Sequence, residues 1–193
     1  MSFQTMFDFE TALAEYTGAP YVVVTDGCTH SIELAMRLQG IKRCEFTAFT
    51  YLSIVQNMAI LNIDYHLTDE QWQGEYQFHG TNIWDSARRL EPGMYRSGQV
   101  QCLSFGRGKP MSIGRVGAIL LDDYQAWYDL SCMRSDGRDL RVLPWETQTE
   151  LKIGYHYWPT LENCEQGLQL LPTVQPQNQK ANYPDCRKIQ IVT

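Results

Sequence analysis

Tyr21-Val-Val-Val-Thr-Asp-Gly-Cys-Thr-His-Ser-Ile-Glu-Leu-Ala-Met-Arg-Leu38 is the stretch whose reading decides the fold. Its first part, Tyr21–Thr25, is β-branched and of strand length, with no alternation of polar and apolar residues, as expected of a strand buried on both faces of a parallel sheet. Asp26-Gly-Cys-Thr29 reads as a turn. Ser31–Leu38 reads as a helix ended near Gly40. Working outward, Met6, Phe9, Leu13 and Tyr16 recur at helical spacing, and Gly18 and Pro20 stop that helix. Downstream the rhythm repeats, with strands at Cys44–Thr47, Ile63–His66, Asn82–Asp85, Val100–Phe105 and Val116–Leu121 and helices at Tyr51–Leu61, Asp122–Met133 and Thr160–Leu170. Strands alternating with helices predict a three-layer α/β/α domain around a mainly parallel sheet.

That domain is expected over residues 1–171. Pro172-Thr-Val-Gln-Pro-Gln-Asn-Gln179 changes the composition, and residues 172–193 read as an extended C-terminal tail too short for its own core. Its last residues, Arg187–Thr193, could add one edge strand.

The bulk numbers restrict the function. The chain has 193 residues, 44% hydrophobic and 20% charged, with a net charge of -6, the balance of one globular domain. Lys42–Arg43, Arg88–Arg89 and Arg187–Lys188 are isolated basic pairs, so no nucleic-acid face is expected. No apolar run reaches the length of a membrane span. The six cysteines show no C-x-x-C spacing and the histidines no ligand spacing, which predicts no metal site. With no secretion signal at the start, reduced thiols and a cytoplasmic location are expected.

Ligands of open α/β sheets sit beyond the carboxyl ends of the strands, and four polar features fall there. Cys28-Thr29-His30 opens a helix, where free N–H groups and the dipole favour an anion. Capping by Thr29 or Asp26 explains the same residues. Asp85 ends a strand and is either a partner for a protonated ring nitrogen or a turn residue. Ser104-Phe-Gly-Arg-Gly-Lys109 follows a strand and could present a lysine for Schiff-base chemistry, or a surface amine. Tyr51 begins a helix and could stack on a flat ring or join the core.

Taken in order, these segments resemble the DegT/DnrJ/EryC1/StrS family of sugar aminotransferases, pyridoxal-phosphate enzymes of fold type I. The resemblance runs from Phe9-Glu-Thr-Ala-Leu-Ala-Glu-Tyr-Thr-Gly18 through Thr25–Ala35, Thr47-Ala-Phe-Thr-Tyr51 and Asp85-Ser-Ala-Arg-Arg89. It continues in Ser104-Phe105 with Lys109 and Gly114–Leu120, and in Gly154-Tyr-His-Tyr-Trp158 with the following helix, covering about residues 7 to 171. It implies pyridoxal 5'-phosphate as cofactor, Lys109 as the Schiff-base lysine that later moves the substrate proton, and Asp85 as partner of the pyridine nitrogen. It further implies Tyr51 stacked on the ring, Arg88 near the phenolic oxygen, and Cys28, Thr29, His30 and Ser104 around the phosphate. His156 would reach the phosphate of a partner subunit, so a homodimer is implied. The partners would be an amino donor and a keto sugar.

The chain departs from the family pattern in several places. Arg115-Val116 stands for Glu-Gly, His156 for Asn and Trp158 for Arg; the segment before Asp85 is compressed; and the C-terminal small domain is expected to be missing. Two further readings therefore stay open. One is a catalytically reduced relative acting as a scaffold, structural or binding protein. The other is an α/β domain that binds some other phosphate ligand at Thr29.

Overall fold

The valine run becomes a strand at the edge of the main sheet, and the rest of the chain is arranged around it. The computed structural model describes residues 3–190. In chain order the elements are α1 (Gln4–Thr17), β1 (Tyr21–Thr25), α2 (Cys28–Leu38), β2 (Arg43–Thr47), α3 (Leu52–Ile60) and β3 (Asp64–Thr68). They continue with β4 (Tyr76–Gln77), β5 (Ile83–Asp85), β6 (Arg89–Leu90), β7 (Val100–Ser104), β8 (Gly117–Leu121), α4 (Tyr124–Arg134), α5 (Leu161–Leu170) and β9 (Gln177–Asn178).

The five-stranded main sheet has the order β1-β8-β7-β5-β4. β8 is antiparallel to both β1 and β7, while β7 and β5 are parallel. β1, β7 and β5 therefore point the same way, with β8 reversed among them. β2 and β3 form a separate parallel pair, tied to the main sheet by the Glu45–His79 backbone bridge. The sheet is more mixed than the alternating pattern suggests because β8 runs against both its neighbours and because the compressed segment before Asp85 folds back as a β4–β5 hairpin, Tyr76 opposite Asp85.

Side chains alternate across each strand, and the two faces build two cores. Val23, Cys102, Ile119 and Leu121 pack against α2 and its neighbours. Val22, Val24, Leu103, Ala118 and Leu120 pack with Met6, Phe9 and Leu13 of α1 and Cys164 of α5. Every residue of β8 is buried. The layers are thus helix, sheet and helix, as the sequence predicts. α1 and α5 approach closely at Gly167, where an added Cβ would come 2.5 Å from the Phe9 ring.

As an edge strand, β1 would leave backbone groups unpaired. Glu10 and Arg134 cover them: Val24 N–H donates to Glu10 Oε1 (2.9 Å), and Arg134 Nη1 donates to the Val24 carbonyl (2.8 Å). The two side chains are ion-paired to each other and buried. Trp127 Nε1 donates to the Val22 carbonyl at 3.1 Å. The edge is therefore closed by side chains.

The tail leaves α5 through a 3-10 turn at Leu171–Thr173 and returns across the domain. β9 pairs antiparallel with β6, so the tail's strand lies at Gln177–Asn178. Cys186–Lys188 form a 3-10 turn, and the remainder of the anticipated strand, 191–193, lies outside the described residues. All six cysteines are free. No described helix is long and apolar enough to cross a membrane.

Candidate active site

A cleft of about 730 Å³ opens beyond the ends of β5 and β7, within the range common for small-molecule sites. Cys28, Thr29, His30, Tyr51, Asp85, Arg88, Ser104 and Lys109 all line it, joined by Asp26, Arg107, Arg115 and Tyr183. His156 does not. It is exposed and holds Asp136 at 3.1 Å.

Asp85 forms the floor. It is the last residue of β5, beside Cys102 of β7, and is 4% exposed. Tyr76 donates its hydroxyl to Oδ2 (3.1 Å) and Ala87 N–H donates to Oδ1 (2.9 Å). Burial raises its pKa; the Lys109 charge is the largest opposing influence, followed by these hydrogen bonds. Burial outweighs the nearby Lys109 and Arg88 charges, and a cation bonded directly to the carboxyl would relieve it. Beneath it, Glu75 accepts from Arg89 (2.7 Å), Arg96 (2.5 Å) and Ser86 (2.9 Å), fixing the turn that follows Asp85.

One wall is the start of α2. Like every helix start, it has first N–H groups without intrahelical partners, and here no side chain caps them, while Cys28, Thr29 and His30 line the cleft. The hydroxyl of Thr29 is within 2.7 Å of Ser53 Oγ, and Asn57 donates to the Thr29 carbonyl (2.8 Å), locking α2 to α3. Cys28 turns its sulfur inward to the Cys102 carbonyl (3.5 Å), and burial pushes its thiol well above the ordinary range. It is a neutral wall residue rather than a nucleophile. Gly117 allows β8 to press on this turn: a Cβ there would meet Cys28 N at 2.4 Å. His30 lies 2.5 Å from Asp26 Oδ1 and stacks on Tyr157 at 3.8 Å. Arg115 reaches the same Asp26 at 3.3 Å.

Opposite stand Lys109, Arg88 and Tyr51. Lys109 sits on the β7–β8 loop in a turn closed by its N–H to the Gly106 carbonyl (3.1 Å), with Ser112 bonded beneath (3.0 Å from Gly108 N). Its Nζ donates to the Tyr183 hydroxyl at 2.8 Å. Arg88 lies over the Tyr183 ring at 4.9 Å, and its buried Nε makes no hydrogen bond among the described residues. Tyr51 is 60% exposed, its ring open at the mouth.

Sequence reasoning missed Ser53, Tyr157 and Tyr183. Tyr183 lies in a polar Pro/Gln/Asn context with no periodicity, so nothing local marks it as facing a site.

Residues 2–70 match the model of the DegT/DnrJ/EryC1/StrS aminotransferase family. No curated protein matches the sequence. Among solved structures the chain resembles AtS13 from Actinomadura melliaura, with 18% identity over 89% of this chain and 60% of that one and a TM-score of 0.76. It also resembles the sugar aminotransferase CalS13 from Micromonospora echinospora (16% identity, 88% and 60% covered, TM-score 0.73). A third is the PMP form of Spr1654 from Streptococcus pneumoniae (14%, 88% and 59%, TM-score 0.69). At these identities the shared feature is the fold, and the chain spans about 60% of the length of the structures it matches.

Proposed function

We propose that the cleft binds pyridoxal 5'-phosphate and that the chain performs aminotransferase chemistry, moving an amino group from a donor such as glutamate to a keto sugar or similar ketone. The observation that carries this reading is the meeting of Asp85, the uncapped start of α2 and Lys109 in one cleft from three separate segments. The family match over residues 2–70 and the shared fold support it.

The residues fit the group on local grounds. Asp85 is a buried carboxyl whose charge lacks a full partner, suited to a protonated ring nitrogen. Arg88 brings a buried Nε with no acceptor among the described residues, suited to an anionic ring oxygen. The N–H groups of Cys28, Thr29 and His30, with Ser104, suit a phosphate. The wall cations Arg88, Arg107, Lys109 and Arg115 favour an anionic ligand. When bound, the cofactor supplies an electron-withdrawing ring that stabilises charge on the adjacent carbon. Asp85 would keep the ring nitrogen protonated, Tyr51 would cover the open face, and Lys109 would supply the attaching amine and carry the proton. His156, exposed and outside this cleft, is assigned to a partner's phosphate in a homodimer.

The test is visible absorbance during titration with pyridoxal phosphate, before and after borohydride, in the wild type and Lys109→Ala. The expected result is a band that borohydride fixes onto the Lys109 peptide and that the variant lacks. No band in the wild type would overturn the reading. The competing scaffold reading draws on the engagement of Lys109 by Tyr183; it expects no such band.

A further inference from the structure

The tail does more than cross the surface, because it touches two of the cationic side chains of the cleft, Arg88 and Lys109. It is anchored on two sides. Before Tyr183, Gln179 N–H donates to the Arg88 carbonyl (2.9 Å), its own carbonyl accepts from Gly74 N–H (2.9 Å), and its Oε1 accepts from Arg88 Nη1 (3.3 Å). After it, Cys186 is buried, its N–H donating to the Ala48 carbonyl (2.9 Å) and its thiol to the Thr50 carbonyl (3.3 Å). Between the anchors, Tyr183 stacks on Trp72 (6.0 Å, 20°), and Trp72 is itself pinned by its indole N–H to the Phe49 carbonyl (2.7 Å). The ring is thereby fixed from behind, and its hydroxyl accepts from Lys109 Nζ at 2.8 Å. Lys109 Nζ also lies 5.6 Å from the ring centroid, within cation–π range.

We infer that Tyr183 is a positioning residue for Lys109: its hydroxyl holds the amine in the cleft, so that the C-terminal segment completes the site from outside the α/β layers. A lysine is a flexible four-carbon stem with a point charge at its end. Lys109 is placed on a loop, so backbone geometry alone leaves its tip free to leave the cleft. The Tyr183 hydroxyl supplies a fixed acceptor. The importance of this for chemistry rests on the function proposed above; the positioning itself does not require cofactor.

The experiment is amine labelling of the cofactor-free protein at one pH, with the rate at Lys109 read by mass spectrometry and the exposed Lys42 as internal reference. Wild type, Tyr183→Phe and Tyr183→Leu are compared, with melting temperature as the check on folding. Phenylalanine keeps the ring and its stacking but removes the acceptor. Lys109 is expected to label about 5-fold faster in both variants than in the wild type, the size of one hydrogen bond, with Lys42 unchanged and the Tyr183→Phe melting point held. Wild-type rates in Tyr183→Phe with faster labelling in Tyr183→Leu would mean that the ring merely covers the amine, and would overturn the inference. Equal rates in all three would overturn it as well. A wild type that gives the labelling difference but no visible band with pyridoxal phosphate would sink the proposed function and leave the positioning intact.

Discussion

The cleft has two walls built by different physics. On the inner wall, Asp85, Cys28 and Ser104 stand at the ends of elements whose faces are packed on both sides, and β8 behind them is buried throughout. On the outer wall, Tyr183 and Gln179 belong to a segment, 171–190, in which only Leu171 and Cys186 are buried among the described residues. Burial in two cores fixes the first wall; a handful of backbone hydrogen bonds and one aromatic stack fix the second. Segments with few buried contacts open locally at low free energy, while core strands open only with the whole domain. A site made this way has a rigid floor for charge and an outer side that can be released without unfolding.

The sharpest way to break that contrast is to attack the inner wall's support. Arg134→Ala leaves Glu10 buried without its partner and uncovers the edge of β1. Loss of one member of a buried pair costs about 3–5 kcal/mol, and chemical denaturation should show it as a global change. A loss below about 1 kcal/mol would mean that β1 is held by packing alone.

Asp85→Asn should separate stability from binding. Burial raises the carboxyl's pKa in the folded protein. Between the ordinary value and the raised one, the native state holds more protons than the unfolded chain, so stability falls as pH rises through that interval and is unaffected below it. Asparagine carries no charge and removes this loss. At pH 7 the variant is expected to be the more stable of the two, with the higher melting temperature, while pyridoxal phosphate binding weakens by at least about 10-fold, the worth of one charged hydrogen bond. Parallel stability–pH curves for variant and wild type would show that Asp85 is not the group responsible.

Gly74→Ala tests the outer wall, with the smallest global effect. Gly74 has φ +72°, and an added Cβ would fall 2.2 Å from Asn178 Oδ1. The left-handed backbone costs about 1–2 kcal/mol for a residue with a Cβ, and relief comes by releasing the tail. Hydrogen exchange should accelerate at Gln177–Tyr183 and stay unchanged in β7 and β8. Equal acceleration in both would erase the distinction between the walls.

What the sequence made legible follows the same division. Tyr21–Thr25, Val100–Phe105 and Val116–Leu121 are apolar runs of strand length, and Met6, Phe9 and Leu13 recur at helical spacing, so burial left a periodic trace. Thr29 and Lys109 could be singled out because each follows such a run, and Asp85 because it ends a short strand, and the structure brings them to one cleft. Asn82–Asp85 was legible as a strand, but β4, its hairpin partner, left no trace because Tyr76–Gln77 is too short to show a period. Nothing in the local sequence of Glu10 and Arg134 reports the edge they seal. Tyr183 was invisible for a related reason: its contacts with Trp72, Arg88 and Lys109 are all distant in sequence and made by polar or aromatic tips.

The pairing of β1 with β8 sets a schedule for synthesis. Tyr21 finds its partner at Leu121, and within the main sheet β1 touches no other strand. The first strand to leave the ribosome therefore waits for the last strand of that sheet. During that interval its valines have α1 for cover on one side and an open hydrogen-bonding edge on the other, the state in which chains associate wrongly. β8 then closes β1 and the turn at Cys28 in one event, and the tail that reaches Lys109 arrives after both. The order of translation thus leaves Lys109 and Arg88 as the last of the site's groups to be enclosed.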